Sequence, residues 1–219
     1  MLIEFSGIDG AGKTTFVERV MRLFNSAGVP CYQRSFPSTF KRVAADLAVA
    51  AGHRHWSGLF PPNEIETAHA FEMLNLVSQQ LLPLDLDRQV IVTDTYVSKW
   101  LADSILWKSD AAERLGLVYG GLPAPDLSFR LQVSVDEAAR RIAERPKGDH
   151  PQKIGPDSVL GRYAAAYEQA APLVPYPRET VFTETGLAES WKQIQETIVD
   201  RVQAGGRHQA LLDAVRHAP

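Results

Sequence analysis

The sequence predicts an α/β protein of three layers, in which a parallel sheet is covered on both faces by helices. Three observations predict it. Short apolar runs alternate with amphipathic stretches along most of the chain, the pattern of repeated strand–helix units. The first run, Leu2–Ser6, leads into a glycine-rich turn and then into a segment with a helical apolar face. A later run, Val90–Val92, is apolar without alternation, as strands buried on both faces are.

Taken in order, strands are expected at Leu2–Ser6, Cys31–Phe36, Gln89–Thr93, Leu127–Val133 and Thr180–Thr183. The first helix follows the glycine turn, because Phe16, Val20, Leu23 and Ala27 recur at helical spacing with Arg19 and Arg22 between them. Crossovers between parallel strands are expected to be right-handed. Ser134 and Glu137 form a capping-box pattern before an Ala- and Arg-rich helix, which Pro146 and Gly148 end. Residues Pro146–Pro156 contain three prolines, two glycines and two lysines, which reads as a mobile loop rather than an element. Pro172, Pro175 and Pro177 mark a further connection. Residues 204–219 follow a Gly-Gly break and read as a C-terminal extension, a surface helix or frayed tail.

The composition excludes several classes. At 219 residues, 45% hydrophobic and 22% charged, the chain is long enough to bury a sizeable core. A formal net charge of -3 argues against a general binder of nucleic-acid polymers, since nothing neutralises phosphates along an extended face. A single cysteine, Cys31, allows no internal disulfide and fits a reducing compartment; in a strand it reads as a small buried hydrophobe. No basic start with an apolar core resembles a signal peptide. No apolar run reaches the ~20 residues that span a bilayer. A cytoplasmic location is the expectation.

The sharpest chemical signal is Gly7-Ile8-Asp9-Gly10-Ala11-Gly12-Lys13-Thr14, which fits the phosphate-loop pattern G-x-x-x-x-G-K-[ST]. A strand before it and a helix after it are what the mechanism requires. Gly10 and Gly12 let the backbone wrap around phosphate oxygens. The loop amides and the helix N-terminus supply a positive field. Lys13 is expected to reach the β and γ phosphates of ATP, and the Thr14 hydroxyl to ligate Mg²⁺. The phosphate-binding set is therefore Gly7, Asp9, Gly10, Ala11, Gly12, Lys13, Thr14 and Thr15.

A second carboxylate, Asp94, ends the buried run Val90-Ile91-Val92-Thr93. An acid at the C-terminal edge of a central parallel strand faces the ligand crevice, where it holds Mg²⁺ directly or through water. It also stands where a helix begins and serves equally as a cap.

At these residues the chain resembles the thymidylate kinases. The loop GIDGAGKTT matches the family's G-x-D-G-A-G-K-T-T. Phe36-Pro37 resembles its Phe-Pro after the second strand, and Asp94-Thr95-Tyr96 stands where it has Asp-Arg-Tyr. Pro125-Asp126-Leu127 resembles its Pro-Asp-Leu before the fourth strand, and Tyr167 the tyrosine after its lid. The resemblance runs from about Leu2 to Val202. It implies a P-loop kinase domain over 1–203 with a five-stranded parallel sheet and a lid at about 141–157. It also implies Mg²⁺-ATP as donor, a nucleoside monophosphate as acceptor, and a homodimer. By the same resemblance Asp9 would hydrogen-bond the acceptor's sugar hydroxyl. Phe71 would stack on its base, Phe36 would line the pocket, and Tyr96 would pack beneath the acceptor. Gly10 replaces an arginine that one branch carries in the loop. The lid would then supply that charge from Arg141, Arg145, Lys147 and Lys153, with Arg141 and Arg145 one turn apart.

The departures fall on the acceptor side. Thr95 and Thr39 stand where the family has arginines for the acceptor phosphate, Asn75 where an arginine reads the thymine, and Ser6 where a glutamate precedes the loop. Threonine cannot reproduce a bidentate arginine–phosphate pair. Lys41, Arg42 and above all Lys99 are the candidates to compensate. Asn75 offers a donor and an acceptor where arginine offers donors only. The acceptor expected is therefore a pyrimidine-type nucleoside monophosphate, modified pyrimidines included, rather than dTMP itself. Two alternatives stand beside it: a kinase whose acceptor carries no phosphate, such as a nucleoside, and a P-loop protein that binds ATP without transferring phosphate.

Overall fold

The computed structural model describes residues 1–144 and 158–205. Arg145, Lys147, Lys153, the Pro146–Pro156 segment and residues 206–219 lie outside the described residues. Five strands form one parallel sheet: β1 (Leu2–Ser6), β2 (Cys31–Gln33), β3 (Val90–Thr93), β4 (Leu127–Gln132) and β5 (Glu179–Phe182), in the order β2-β3-β1-β4-β5. Eight helices, counted among the described residues, cover it: α1 (Lys13–Ser26), α2 (Thr39–Ala50), α3 (Pro62–Gln80), α4 (Val97–Leu106), α5 (Ala112–Tyr119), α6 (Val135–Ala143), α7 (Val159–Ala170) and α8 (Leu187–Gly205). None of them is long and apolar enough to cross a membrane.

The central strand explains the architecture. Every residue of β1 is buried, because strands and helices enclose it on all sides. It pairs with β3 at Leu2↔Ile91 to Glu4↔Thr93, and with β4 at Ile3↔Leu127 to Ser6↔Arg130. The Pro-Asp-Leu segment sets the second register. Asp126 accepts a hydrogen bond from the Leu2 amide at 2.8 Å through its carboxylate and returns one at 2.9 Å from its own amide to Leu2 O. Phe5 stacks between Phe16 of α1 and Phe129 of β4, joining both layers. Glu4 lies fully buried in the same strand and accepts hydrogen bonds from Ser128, Tyr176 and the Ser98 amide. Burial holds its carboxyl above the usual range, those three partners opposing the shift.

The sheet ends where ladder pairing ends. The expected second strand, Cys31–Phe36, stops as a strand at Gln33; the Arg34 amide still reaches Val92 O. Phe36 then turns inward. The capping box before α6 is half formed. Ser134 accepts from the Glu137 amide at 3.4 Å, but the Ser134 amide bonds to Glu184, not Glu137. The Glu137 carboxylate goes instead to Arg140 and Arg141, which hold its pKa down to about 2.

Candidate active site

The P-loop sits at the C-terminal end of β1, where a parallel sheet presents ligands. Three of its residues adopt positive φ: Gly7 at 141°, Gly10 at 85° and Gly12 at 95°. A side chain at Gly7 would come 2.5 Å from Leu131 O, and one at Gly10 would come 2.5 Å from Ala138 O. Glycine is thus required twice over, by conformation and by the closeness of β4 and α6. The loop curls through an Ala11 N–H to Ile8 O bond. No side chain caps α1 at Gly12, so the first amides of the helix face outward as anion donors. This cradle fits a polyphosphate. Thr14 and Thr15 are exposed at the first turn.

Lys13 bends over the loop. Its Nζ donates to Gly7 O and Ile8 O at 2.9 Å each and lies 3.3 Å from Asp9 Oδ1. Burial lowers its pKa, and Asp9 and Asp94 resist that shift. The Asp9 side chain itself is 77% exposed. Lys13 and Asp9 share a cavity of about 100 Å³ with Lys99, Tyr163 and Tyr167.

A second cleft, about 480 Å³, opens on the other side of the loop between Gly10–Gly12, Thr15 and Phe16, α6 and the Thr183–Leu187 turn. Arg141 lines it. Its guanidinium donates to Glu137, to Thr183 O at 2.8 Å and to Thr183 Oγ1, with a longer reach of 3.4 Å to Gly10 O. Arg141 therefore braces the P-loop against the turn after β5.

Asp94 lies one residue past the Glu4↔Thr93 pair, beside the start of the P-loop, and accepts from Thr95 Oγ1 at 3.4 Å. Thr14 and Asp94 fit a Mg²⁺ ion that takes one hydroxyl and one carboxylate from the protein and its other oxygens from phosphates and water. Tyr96 is fully buried: its hydroxyl donates to Pro123 O at 2.9 Å, and its ring packs on Phe36 and Trp100. Phe36 is buried in the same cluster. Both residues are core and present no open face to the cavity.

The structure does not bring Phe71 and Asn75 to the P-loop cavity. The packed side of α3 carries Ile65, Glu66, His69, Ala70, Met73 and Val77; Phe71 is 63% exposed and Asn75 is exposed. At 100° per residue they point almost opposite to that packed side. Lys99, singled out from the sequence, does line the cavity; the partners that hold it and Lys41 are ones that sequence reasoning passed over. Lys99 donates to Asp103 Oδ1 and Oδ2 at 2.9 and 3.2 Å and to the Tyr163 hydroxyl at 3.2 Å. Tyr163 donates to Asp103 as well. Lys41 pairs with buried Glu66 at 2.8 Å, and Ser104 donates to the same carboxylate. His69 lies 4.0 Å from Glu66. Burial lowers the His69 pKa to about 3, with Lys41 adding to the shift. One signal was available in the sequence: Glu66 and His69 stand at i, i+3 on a helix face that otherwise carries apolar residues.

Comparisons with known proteins agree with this geometry. The family model described as thymidylate kinase matches residues 5–171. Thymidylate kinase of Mycobacterium tuberculosis is 31% identical over 157 residues, covering 68% of this chain and 73% of that protein. Among solved structures, thymidylate kinase from Candida albicans superposes with a TM-score of 0.59 at 14% identity, covering 95% of this chain and 93% of that one. Deoxyadenosine kinase from M. mycoides, solved with bound dATP, gives 0.57 at 16% identity, covering 90% and 98%. The last two show the shared fold. With a phosphate cradle, its lysine and a family match over most of its length, the chain is a nucleotide kinase and belongs to the thymidylate kinase family.

Proposed function

We propose that this kinase transfers the γ-phosphoryl group of Mg²⁺-ATP to a pyrimidine-type nucleoside monophosphate, modified pyrimidines included. One observation carries the reading. The P-loop lysine and a second lysine from α4, Lys99, line a single cavity together with Asp9. Donor and acceptor phosphates meet there. The glycine cradle and the α1 N-terminus bind the triphosphate, and Lys13 neutralises the oxygens of the transferring group. Thr14 and Asp94 would hold Mg²⁺, which would supply neutralising charge to the phosphates. Arg141 borders the second cleft, the reading's place for the nucleoside of ATP, and reaches Gly10 O. Transfer is in line and needs no covalent intermediate. Asp9, exposed at the cavity mouth, accepts a hydrogen bond from the acceptor's sugar hydroxyl.

A coupled assay for ADP release, run against matched nucleosides and monophosphates, tests this. Turnover with one or more pyrimidine monophosphates, and none with their nucleosides, is the expected result. Turnover with nucleosides alone sinks it. That second reading, an unphosphorylated acceptor, has one observation in its favour: Lys41 and Lys99 each already carry a carboxylate partner.

The same reading includes a cytoplasmic homodimer. Phe40, Val43 and Leu47 stand exposed at i, i+3, i+7 on α2, and Phe71 is exposed on the adjacent α3. That apolar face suits a second copy of the chain. A mass in solution equal to one chain contradicts the dimer.

A further inference from the structure

We propose that the acceptor phosphate is held by two lysines on carboxylate tethers, Lys99 on Asp103 and Lys41 on Glu66, with the two acids acting as positioning residues. The inference rests on the proposed monophosphate acceptor and names the groups that bind it.

Geometry comes first. Lys99 lines the P-loop cavity, and both oxygens of Asp103, four residues along the same helix, grip its ammonium. Tyr163 of α7 closes a triangle, donating to Asp103 and standing 3.2 Å from Lys99 Nζ; the ammonium also lies 4.9 Å from the Tyr163 ring centre. Lys41 of α2 repeats the design, its carboxylate partner Glu66 standing on α3. Its partner Glu66 is fully buried, its side chain keeps only 17% exposure, and Ser104 of α4 shares the carboxylate. The two pairs belong to one field. The charge of Lys41 reaches Asp103, and the charges of Lys41 and Lys99 both reach His69.

The chemistry explains why acids stand beside cations in a phosphate site. A lysine ammonium is a point charge on a flexible four-carbon stem and loses rotamer freedom when fixed. A guanidinium fork needs less help. A carboxylate at 2.8–2.9 Å fixes each stem before the ligand arrives, so the phosphate meets a placed charge. The tether has a second effect. It offsets part of each ammonium charge, so the subsite holds a dianion less strongly than a pair of free arginines. At Lys99 burial alone would lower the pKa, but Asp103 and its surroundings keep it raised, so the ammonium stays charged through the working range.

The test is steady-state kinetics on the full chain with its best pyrimidine monophosphate as acceptor. Lys99→Met and Asp103→Asn are each expected to raise the acceptor KM about tenfold. KM for ATP and kcat are expected to move less than about twofold, since a positioned charge that serves only to hold the acceptor is uniform binding. Asp103→Glu is expected to recover part of the loss, and Tyr163→Phe, which leaves the ion pair in place, to cost about threefold. Glu66→Gln repeats the Asp103→Asn pattern. Melting temperatures identify any variant that fails to fold, and the milder Tyr163→Phe then carries the test. An unchanged or lower acceptor KM in both Lys99→Met and Asp103→Asn overturns the subsite while leaving the kinase reading intact. A wild-type enzyme that phosphorylates nucleosides but no monophosphate overturns both.

Discussion

The phosphate loop and the proposed acceptor side of this enzyme are built from different materials. The loop is written in backbone. Three glycines at positive φ, two of them pressed against carbonyls of neighbouring elements, shape a ring of amides that no set of side chains could replace. The acceptor side is written in side chains on helices: lysines, carboxylates and a tyrosine drawn from α2, α3, α4 and α7. A backbone site tolerates almost no substitution, because every atom of it is shared with the fold. A side-chain site can be rebuilt one residue at a time. The difference teaches where a family can change its substrate without losing its reaction.

The comparison can be broken most forcefully at Gly10. Gly10→Ala puts a methyl 2.5 Å from Ala138 O at a φ of 85°. Strain of about 1–3 kcal/mol and loss of measurable ATP binding are expected by calorimetry and melting. Lys13→Ala comes next. It removes the one ammonium of the loop, and kcat is expected to fall about 10²- to 10³-fold with the fold retained. Asp94→Asn weakens the grip on the metal. Its rate loss is expected to be smaller and to be partly recovered at high Mg²⁺, which a magnesium titration reads directly.

On the acceptor side the comparison sharpens at His69. Its pKa of about 3 in the folded chain lies below the ordinary 6.5. The unfolded chain therefore takes up a proton that the native one refuses, and stability falls as pH drops from about 6.5 towards 3. The slope from this group has a ceiling of about 1.4 kcal/mol per pH unit. Against His69→Gln, wild type is expected to show that extra acid loss in denaturant titrations at stepped pH. The smallest effect is expected at Phe71→Ala. Because Phe71 points away from the cavity, the acceptor KM should shift by no more than about twofold. A tenfold rise would return Phe71 to the base pocket.

The same contrast decides what could be read in advance. The phosphate loop was legible because its chemistry is a fixed spacing of glycines, lysine and threonine along the chain. The place of Asp94 was legible because the buried apolar run before it ends there; the sequence left its role open between metal holder and cap. Strand β1 is found where the apolar run placed it, and β3, β4 and β5 within a residue. Helix phase was not legible on α3. Ile65, Ala68, Phe71, Leu74 and Leu76 surround it with apolar residues, so no single stripe marks the packed side. An offset of two residues there rotates a side chain by about 200°. That is the difference between Phe71 and His69. Pairings such as Lys99 with Asp103 and Tyr163 join residues up to 64 apart, which only packing reveals. The half-formed capping box at Ser134 is another case, since Glu184 arrives from the turn after the neighbouring strand β5 to take the amide.

Helix α2 is fastened differently at its start and along its length. Its first turn is gripped from α3 by Glu72, which accepts from the Ser38 hydroxyl and from the amides of Thr39 and Phe40. Its only fully buried residues are the two small side chains of Ala44 and Ala48. The two alanines pack with Trp56 and Ile65 in a small apolar cluster, whereas the Glu72 bonds at the first turn are exposed and weaken as ionic strength rises. Concentrated salt should therefore loosen that first turn before the sheet yields, with the Thr39 and Phe40 amides trading protons for deuterium ahead of those in β1. Lys41 belongs to the same turn, so the proposed acceptor subsite would slacken while the phosphate loop kept its shape.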